Sequence, residues 1–286
     1  MRLRYRPAAM AYVRTRLGRL YCDEQGETGG PRDPAILLLH GLLFDGGSWR
    51  GQIEPLADLG RVVNIDGPGH GRSEPAPRFM LEEHADALID VLDEFRIDRA
   101  ILVGISWGGM VAMRFAIQHP RRVAGLALLD TSADAEALPE RLRYRALVAI
   151  HRRVGVPLSL FDKEIAPRLF APRTIAERPE LVQAAYRRAM GYERDGLARA
   201  AIAVVVRRRS IVAELSRIDA PALVMCGRHD RSQPPARSET IAKGIRGARL
   251  VVLEELGHMS ALEGPAQVNA HLVPFVRSCF PPRGQS

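Results

Sequence analysis

The sequence is short of several things. Its 286 residues hold only three cysteines, Cys22, Cys226 and Cys279. An odd, scattered set fits neither a disulfide framework nor the spacing of a metal site. Reduced thiols in a cytoplasmic protein are the expectation. Aromatic residues are 6% of the chain, too few for the basic and aromatic interleaving of a nucleic-acid surface. Long apolar runs are missing: the longest are Ala35–Leu39, Val123–Leu129 and Ala200–Val206. A membrane-spanning helix needs about 18 consecutive apolar residues. The N-terminus is basic like a secretory leader but has no apolar segment behind it. Residues 1–10 therefore read as a basic tail, with Met10 a candidate start. Lysine is scarce too, with only Lys163 and Lys243, so the basic residues are almost all arginine.

Charge is what the chain has in excess. The net charge is +8 with 41 Lys+Arg against 33 Asp+Glu, which first suggests a phosphate-bearing partner. Its distribution argues otherwise. Residues 1–19 hold six arginines and no acid, and residues 134–216 hold 16 basic and 10 acidic groups. Residues 20–133 are acidic on balance, with 17 acids against 10 bases. A general preference for arginine explains this more simply than phosphate binding. The expected partner is a small-molecule substrate, with no nucleic acid and no membrane. Arginines of 134–216 that faced a pocket would favour a carboxylate-bearing substrate; facing solvent, they would say nothing about function.

Short apolar runs bounded by turn signals read as buried strands. They lie at Ala11–Leu17, Leu20–Glu24, Ala35–Leu39, Arg61–Ile65, Ala100–Gly104, Ala124–Asp130, Ala222–Cys226 and Arg249–Glu254. Helical patterns separate them at Ser48–Leu59, Met80–Phe95, Ser106–His119, Ala236–Ile245 and Ala261–Cys279. This alternation predicts an α/β fold, a mostly parallel sheet with helices on both faces, and an antiparallel start where two strands lack a helix between them. Residues 134–216 break the pattern. Leu138, Leu142, Ala146 and Ala149 recur at helical spacing, as do Leu181, Ala184, Ala185 and Arg188. The expectation is a helical lid inserted into a core of residues 11–133 and 217–280.

The chemistry gathers at Gly104-Ile105-Ser106-Trp107-Gly108-Gly109. A strand precedes it and a helix follows, so Ser106 sits at a sharp turn with its hydroxyl exposed and free helix N–H groups nearby. A serine needs a base. His258, in Gly257-His258-Met259, follows the last strand and reaches the same sheet edge. The base needs a carboxylate. Asp230, after Ala222–Cys226, is favoured, and Asp130, after Ala124–Leu129, is the alternative, with capping of the lid's first turn as its other role. An oxyanion needs backbone donors. The N–H of Leu42, after His40-Gly41, and the N–H of Trp107 are the candidates. The Trp107 ring either lines the pocket or packs inward. His40 and His70 sit in turns, where a structural hydrogen bond is the simpler role. Asp66-Gly67-Pro68-Gly69-His70-Gly71-Arg72-Ser73 reads as architecture beneath the site. No ligand cluster or phosphate loop implies a metal or organic cofactor.

With these pieces in chain order, the sequence resembles the α/β-hydrolase superfamily from about Ala11 to Phe280. The resemblance implies an eight-stranded sheet with a helical cap, and a serine hydrolase acting through an acyl-enzyme. Ser106 in place of an aspartate excludes the dehalogenase and epoxide-hydrolase chemistries. His40-Gly41-Leu42-Leu43-Phe44 departs from the His-Gly-Gly-Pro-Gly of proline iminopeptidases. The stretch from Gly257 to Pro265 is similar to enol-lactonase and small carboxylesterase members. Hydrolases of carbon–carbon bonds in aromatic breakdown are an alternative, as is a ligand-binding protein with little turnover.

Overall fold

The computed structural model describes residues 9–27 and 33–281. Its eight strands form one sheet: β1 (Ala9–Thr15), β2 (Gly18–Gln25), β3 (Ala35–Leu39), β4 (Val62–Ile65), β5 (Ala100–Ile105), β6 (Val123–Leu129), β7 (Ala222–Gly227) and β8 (Arg249–Leu253). Their order is β1-β2-β4-β3-β5-β6-β7-β8. β2 pairs antiparallel with both β1 and β4, and every other pair is parallel. A hairpin joins β1 to β2, whereas each parallel pair needs a crossover. Gly18, at φ +104°, closes that hairpin and ends β1 two residues before the predicted Leu17. Ala9 and Met10, read from sequence as part of the basic tail, belong to β1 instead. The remainder of that tail, residues 1–8, lies outside the described residues.

Strands β3 to β7 are buried at every residue, because both faces of the sheet are covered. Alternate residues divide between two cores. Ala100 and Leu102 of β5 join the layer containing Leu88, Val91 and Phe115, while Ile101, Val103 and Ile105 join that containing Val268, Leu272 and Val276. Those layers are built by the helices Leu81–Glu94, Trp107–Gln118 and Pro265–Ser278.

Two predicted helices are broken. Ser48–Leu59 is a 3₁₀ turn, Gly46–Trp49, followed by a short helix, Ile53–Ala57; its glycines favour turns over helix. The stretch Ala261–Cys279 splits into Ser260–Glu263 and Pro265–Ser278, because Pro265 lacks an N–H and pushes Gly264 out of helical geometry.

Residues 134–216 contain helices and no strand. Leu138–Val154 has Pro139 in its first turn and ends at Gly155, φ +78°, where only glycine is unstrained. Pro179–Gly191 and Arg194–Ala201 follow, and the second widens into a π-helical turn, Ile202–Arg207. The row Leu138, Leu142, Ala146, Ala149 does mark a helix, but it faces solvent, with Leu138 64% and Leu142 53% exposed. The inner face is Tyr144, Leu147, Val148 and His151. Among the described residues no helix is long and apolar enough to cross a membrane.

Candidate active site

Ser106 joins β5 to the helix Trp107–Gln118 at φ +53°, ψ −115°. A serine held there costs about 1–3 kcal/mol and persists only where its surroundings fix it. Three contacts do so. Ser106 N–H donates to Leu129 O at 2.9 Å, Thr131 Oγ1 donates to Ser106 O at 2.7 Å, and Gly108 N–H donates to His40 O at 3.0 Å. The glycines on either side let the helix seat against the sheet. A Cβ on Gly108 would lie 2.0 Å from Leu39 O, and one on Gly104 would lie 2.5 Å from the Gly108 backbone.

His258 follows β8 and is buried. Its Nε2 accepts from Ser106 Oγ at 2.9 Å, and its Nδ1–H donates to Asp230 Oδ2 at 2.8 Å. Asp230 is in turn fixed by the Ser232 and Gln233 N–H groups, 2.8 and 2.7 Å from Oδ1. Burial alone would depress the His258 pKa, but the facing Asp230 carboxylate and its hydrogen bond, with Asp130 and Glu263 beyond, outweigh it and raise it. A hydroxyl bonded to an imidazole that is backed by a carboxylate can pass its proton to that ring.

Asp130 lies close by but has no hydrogen bond to His258. Its Oδ1 accepts from Gly227 N–H at 2.8 Å, and its Oδ2 accepts from Ser260 Oγ. Burial and the neighbouring Asp230 charge push its carboxyl well above the usual range. Nor does it cap a helix of the 134–216 segment: the first one begins at Leu138 after Ala137.

The turn Gly41–Leu42 packs against Ser106, and a Cβ on Gly41 would lie 3.3 Å from that of Ser106. The N–H groups of Leu42 and Trp107 have no acceptor among the described residues. Two buried histidines hold this turn. His40 donates from Nδ1 to Gly41 O at 2.8 Å and accepts Gly67 N–H at 2.7 Å. His70 donates to Pro68 O at 3.1 Å and accepts Leu43 N–H at 3.3 Å. Burial lowers both pKa values, that of His70 to about 3. The loop Asp66–Ser73 is thus stapled beneath the site. The Trp107 ring points inward, its centroid 5.7 Å from His40 and 5.1 Å from both His70 and His84. His84 is buried beside it with neither ring nitrogen hydrogen-bonded among the described residues.

Above Ser106 and His258 is a cavity of about 350 Å³. Its walls come from Leu42, Leu43 and Met110 below and from the 134–216 helices above, through residues such as Leu147, Phe161 and Val205. The arginines of that segment divide. Arg143, Arg168 and Arg208 reach the cavity, and Arg145, Arg152, Arg153, Arg173 and Arg187 are exposed. The inner ones are matched by glutamates in the same wall: Arg143 by Glu140 and Glu164, Arg168 by Glu140, all at 3.1 Å, and Arg208 by Glu136 at 2.6 Å. Arg237 adds a second bond to Glu136 at 2.7 Å. Arg231, exposed at the mouth, has no acidic partner among the described residues.

Glu136 carries a prediction. Burial alone would raise its carboxyl, but the Arg237 hydrogen bond and facing Arg208 hold it down at about 2. A depressed folded-state pKa contributes stability that is present above the ordinary carboxylate range and lost as the pH falls through it. Glu136→Gln is expected to cost on the order of 3 kcal/mol at pH 7. Urea denaturation should then show a smaller loss of stability between pH ~4.5 and ~2 than in the unaltered protein.

Sequence reasoning missed Ser232 and Gln233, whose contribution is backbone N–H, and Glu136, whose partners come from distant segments. Glu263 lies in the Gly257–Pro265 stretch, but nothing in the sequence marks a role for it. Among the described residues no group of three or more His, Cys, Asp or Glu side chains could hold a metal ion.

Comparison with known proteins identifies the fold family. Residues 34–265 match the model of a family described as alpha/beta hydrolase fold. The dihydrolipoyllysine-residue acetyltransferase component of the acetoin cleaving system of Pseudomonas putida is 30% identical over 256 residues, 88% of this chain. This chain spans only 65% of that relative's length. The 3-oxoadipate enol-lactonase 2 of Acinetobacter baylyi is 28% identical over 248 residues, 86% of this chain and 90% of that protein. A thermophilic esterase from Thermogutta terrifontis, solved with malate bound, superposes with a TM-score of 0.86 at 28% identity, covering 96% of this chain and 100% of that one.

Proposed function

Because the chain belongs to the alpha/beta hydrolase fold family, we propose that it is a serine hydrolase that cleaves a small-molecule ester or lactone through an acyl-enzyme. The observation that carries this reading is the continuous relay from Asp230 through His258 to Ser106, at 2.8 and 2.9 Å, opening into the cavity. In this reading His258 takes the Ser106 proton as Oγ attacks the substrate carbonyl. The oxyanion is held by the Leu42 and Trp107 N–H groups. His258 returns its proton to the leaving oxygen, then activates the water that releases the acid. Asp230 holds the ring and its charge, and Asp130 stays outside the proton path. The Ser106 oxygen attacks as its proton passes to His258, which supplies the base from the chain's own residues.

Residues 134–216 act as the lid. Its apolar inner surface suits an acyl group of modest size, and four of the five arginines lining the cavity are tied to Glu136, Glu140 or Glu164, which leaves Arg231 as the unpaired positive charge among the described residues. The esterase and enol-lactonase relatives support the same chemistry. The test is a panel of p-nitrophenyl esters of increasing chain length, simple lactones and ring-cleavage diketones. Turnover of the short and medium esters or lactones is expected. Turnover of the diketones alone would replace this reading with carbon–carbon bond hydrolysis, and tight binding without turnover would replace it with a ligand-binding role.

A further inference from the structure

Glu263 is a buried acid that the relay does not use. It ends the short helix Ser260–Glu263, five residues after His258. Its carboxylate accepts four hydrogen bonds, and none comes from a cation. Oε1 takes the N–H groups of Gly257, at 3.0 Å, and Met259, at 3.2 Å. These are the residues on either side of His258. Oε2 takes the N–H of Ala171, at 2.8 Å, and Thr174 Oγ1, at 2.6 Å. Those two belong to the lid, where Thr174 lies in the helix Pro172–Glu177. The link is reinforced beside it. Met259 N–H also donates to Leu169 O at 3.0 Å, and Arg178 donates to the Glu263 carbonyl at 2.8 Å. Nothing larger than glycine fits at 257, where a Cβ would lie 2.4 Å from Ala171 N. Just upstream of Ala171, Phe161, Ile165, Arg168 and Leu169 line the cavity.

We infer that Glu263 is a positioning residue that ties the His258 loop to the lid arm, so that the base and the cavity wall keep one geometry. The kinetic part of this inference rests on the serine-hydrolase reading; the coupling itself does not. Both oxygens must accept, which only a carboxylate does. A glutamine has one accepting oxygen, and its NH₂ would face at least one backbone N–H that cannot accept: Gly257 and Met259 on one side, Ala171 on the other. Either the His258 side of the clamp or the Ala171 bond on the lid side is lost.

The acids facing His258 are Asp230, Asp130 and Glu263, with the Ser106 hydroxyl across the ring. Removing the Glu263 charge therefore lowers the pH at which the imidazole titrates. The test is the NMR titration of the His258 ring, assigned by its loss in His258→Gln, alongside kinetics on the best ester of the panel. In Glu263→Gln the ring is expected to titrate at lower pH than in the unaltered protein. Its kcat should fall by about 10- to 100-fold, with a smaller change in KM. Glu263→Asp, which keeps the charge, should restore the titration. A folded Glu263→Gln with unaltered titration and kcat would overturn the inference. If the unaltered protein turned over no ester, the titration would still decide it. Should Glu263→Gln fail to fold, Thr174→Val removes one lid-side donor only. Amide exchange should then quicken at both Ala171 and Gly257, and a change confined to Ala171 would overturn the coupling.

Discussion

Ser106→Ala is expected to lower kcat by about 10⁵- to 10⁶-fold on any substrate the protein turns over. The size follows from how the group is held. Ser106 Oγ is the hydroxyl in hydrogen-bond contact with His258 Nε2, and the strained turn exists to place it there. Alanine keeps Cβ and the backbone hydrogen bonds that link residue 106 to Leu129 O, Thr131 Oγ1 and Met110 N–H, so thermal stability should change little. Some rate above water should remain, because the Leu42 and Trp107 N–H groups can still polarise a bound carbonyl. Paired measurements of kcat and the melting temperature check this. A folded variant that retained a tenth of the activity would show that Ser106 is not the nucleophile.

The second large effect separates two neighbouring carboxylates. Asp230→Asn should cost about 10⁴-fold in kcat, because an amide at 2.8 Å from Nδ1 can present its NH₂ to the ring and favour the wrong tautomer. Asp130→Asn should cost less than about 10-fold. Its side chain bonds Gly227 N–H and Ser260 Oγ and makes no hydrogen bond to His258, and asparagine, of the same size, can accept from the first and donate to the second. The pH dependence adds a sign. The base must be neutral to act, so kcat/KM rises as pH passes through the His258 pKa. That limb lies above the ordinary histidine value of about 6.5, since the Asp230 charge outweighs burial. In Asp230→Asn the limb should move to lower pH. If Asp130→Asn were instead the inactive variant, the acid of the relay would be Asp130.

Much of this was legible in the sequence, and the reasons are physical. The sheet shows because β3 to β7 are buried on both faces, which forces unbroken apolar runs. The Ser106 turn shows because two backbones approach so closely that Gly104 and Gly108 are obligatory. His258 shows because parallel strands deliver their C-terminal ends to one edge. Other features left no such mark. Asp130 and Asp230 both follow strands, and only three-dimensional partners separate them. Helical spacing in Leu138–Val154 located the helix but not its buried face, since the outward row is as apolar as the inward one. The cavity arginines could not be read, because apart from Glu140 beside Arg143 their glutamate partners come from separate stretches of chain. Glu263 escaped because its partners are mostly backbone N–H groups, which no residue type advertises.

The central claim is that Ser106 is an activated nucleophile. A fluorophosphonate probe bonds covalently to such a serine, and peptide mass mapping locates the adduct. The account predicts a single adduct on the peptide carrying Ser106, absent from Ser106→Ala and formed far more slowly in His258→Gln. Labelling at another residue, or none under conditions that label a serine hydrolase standard, would contradict it.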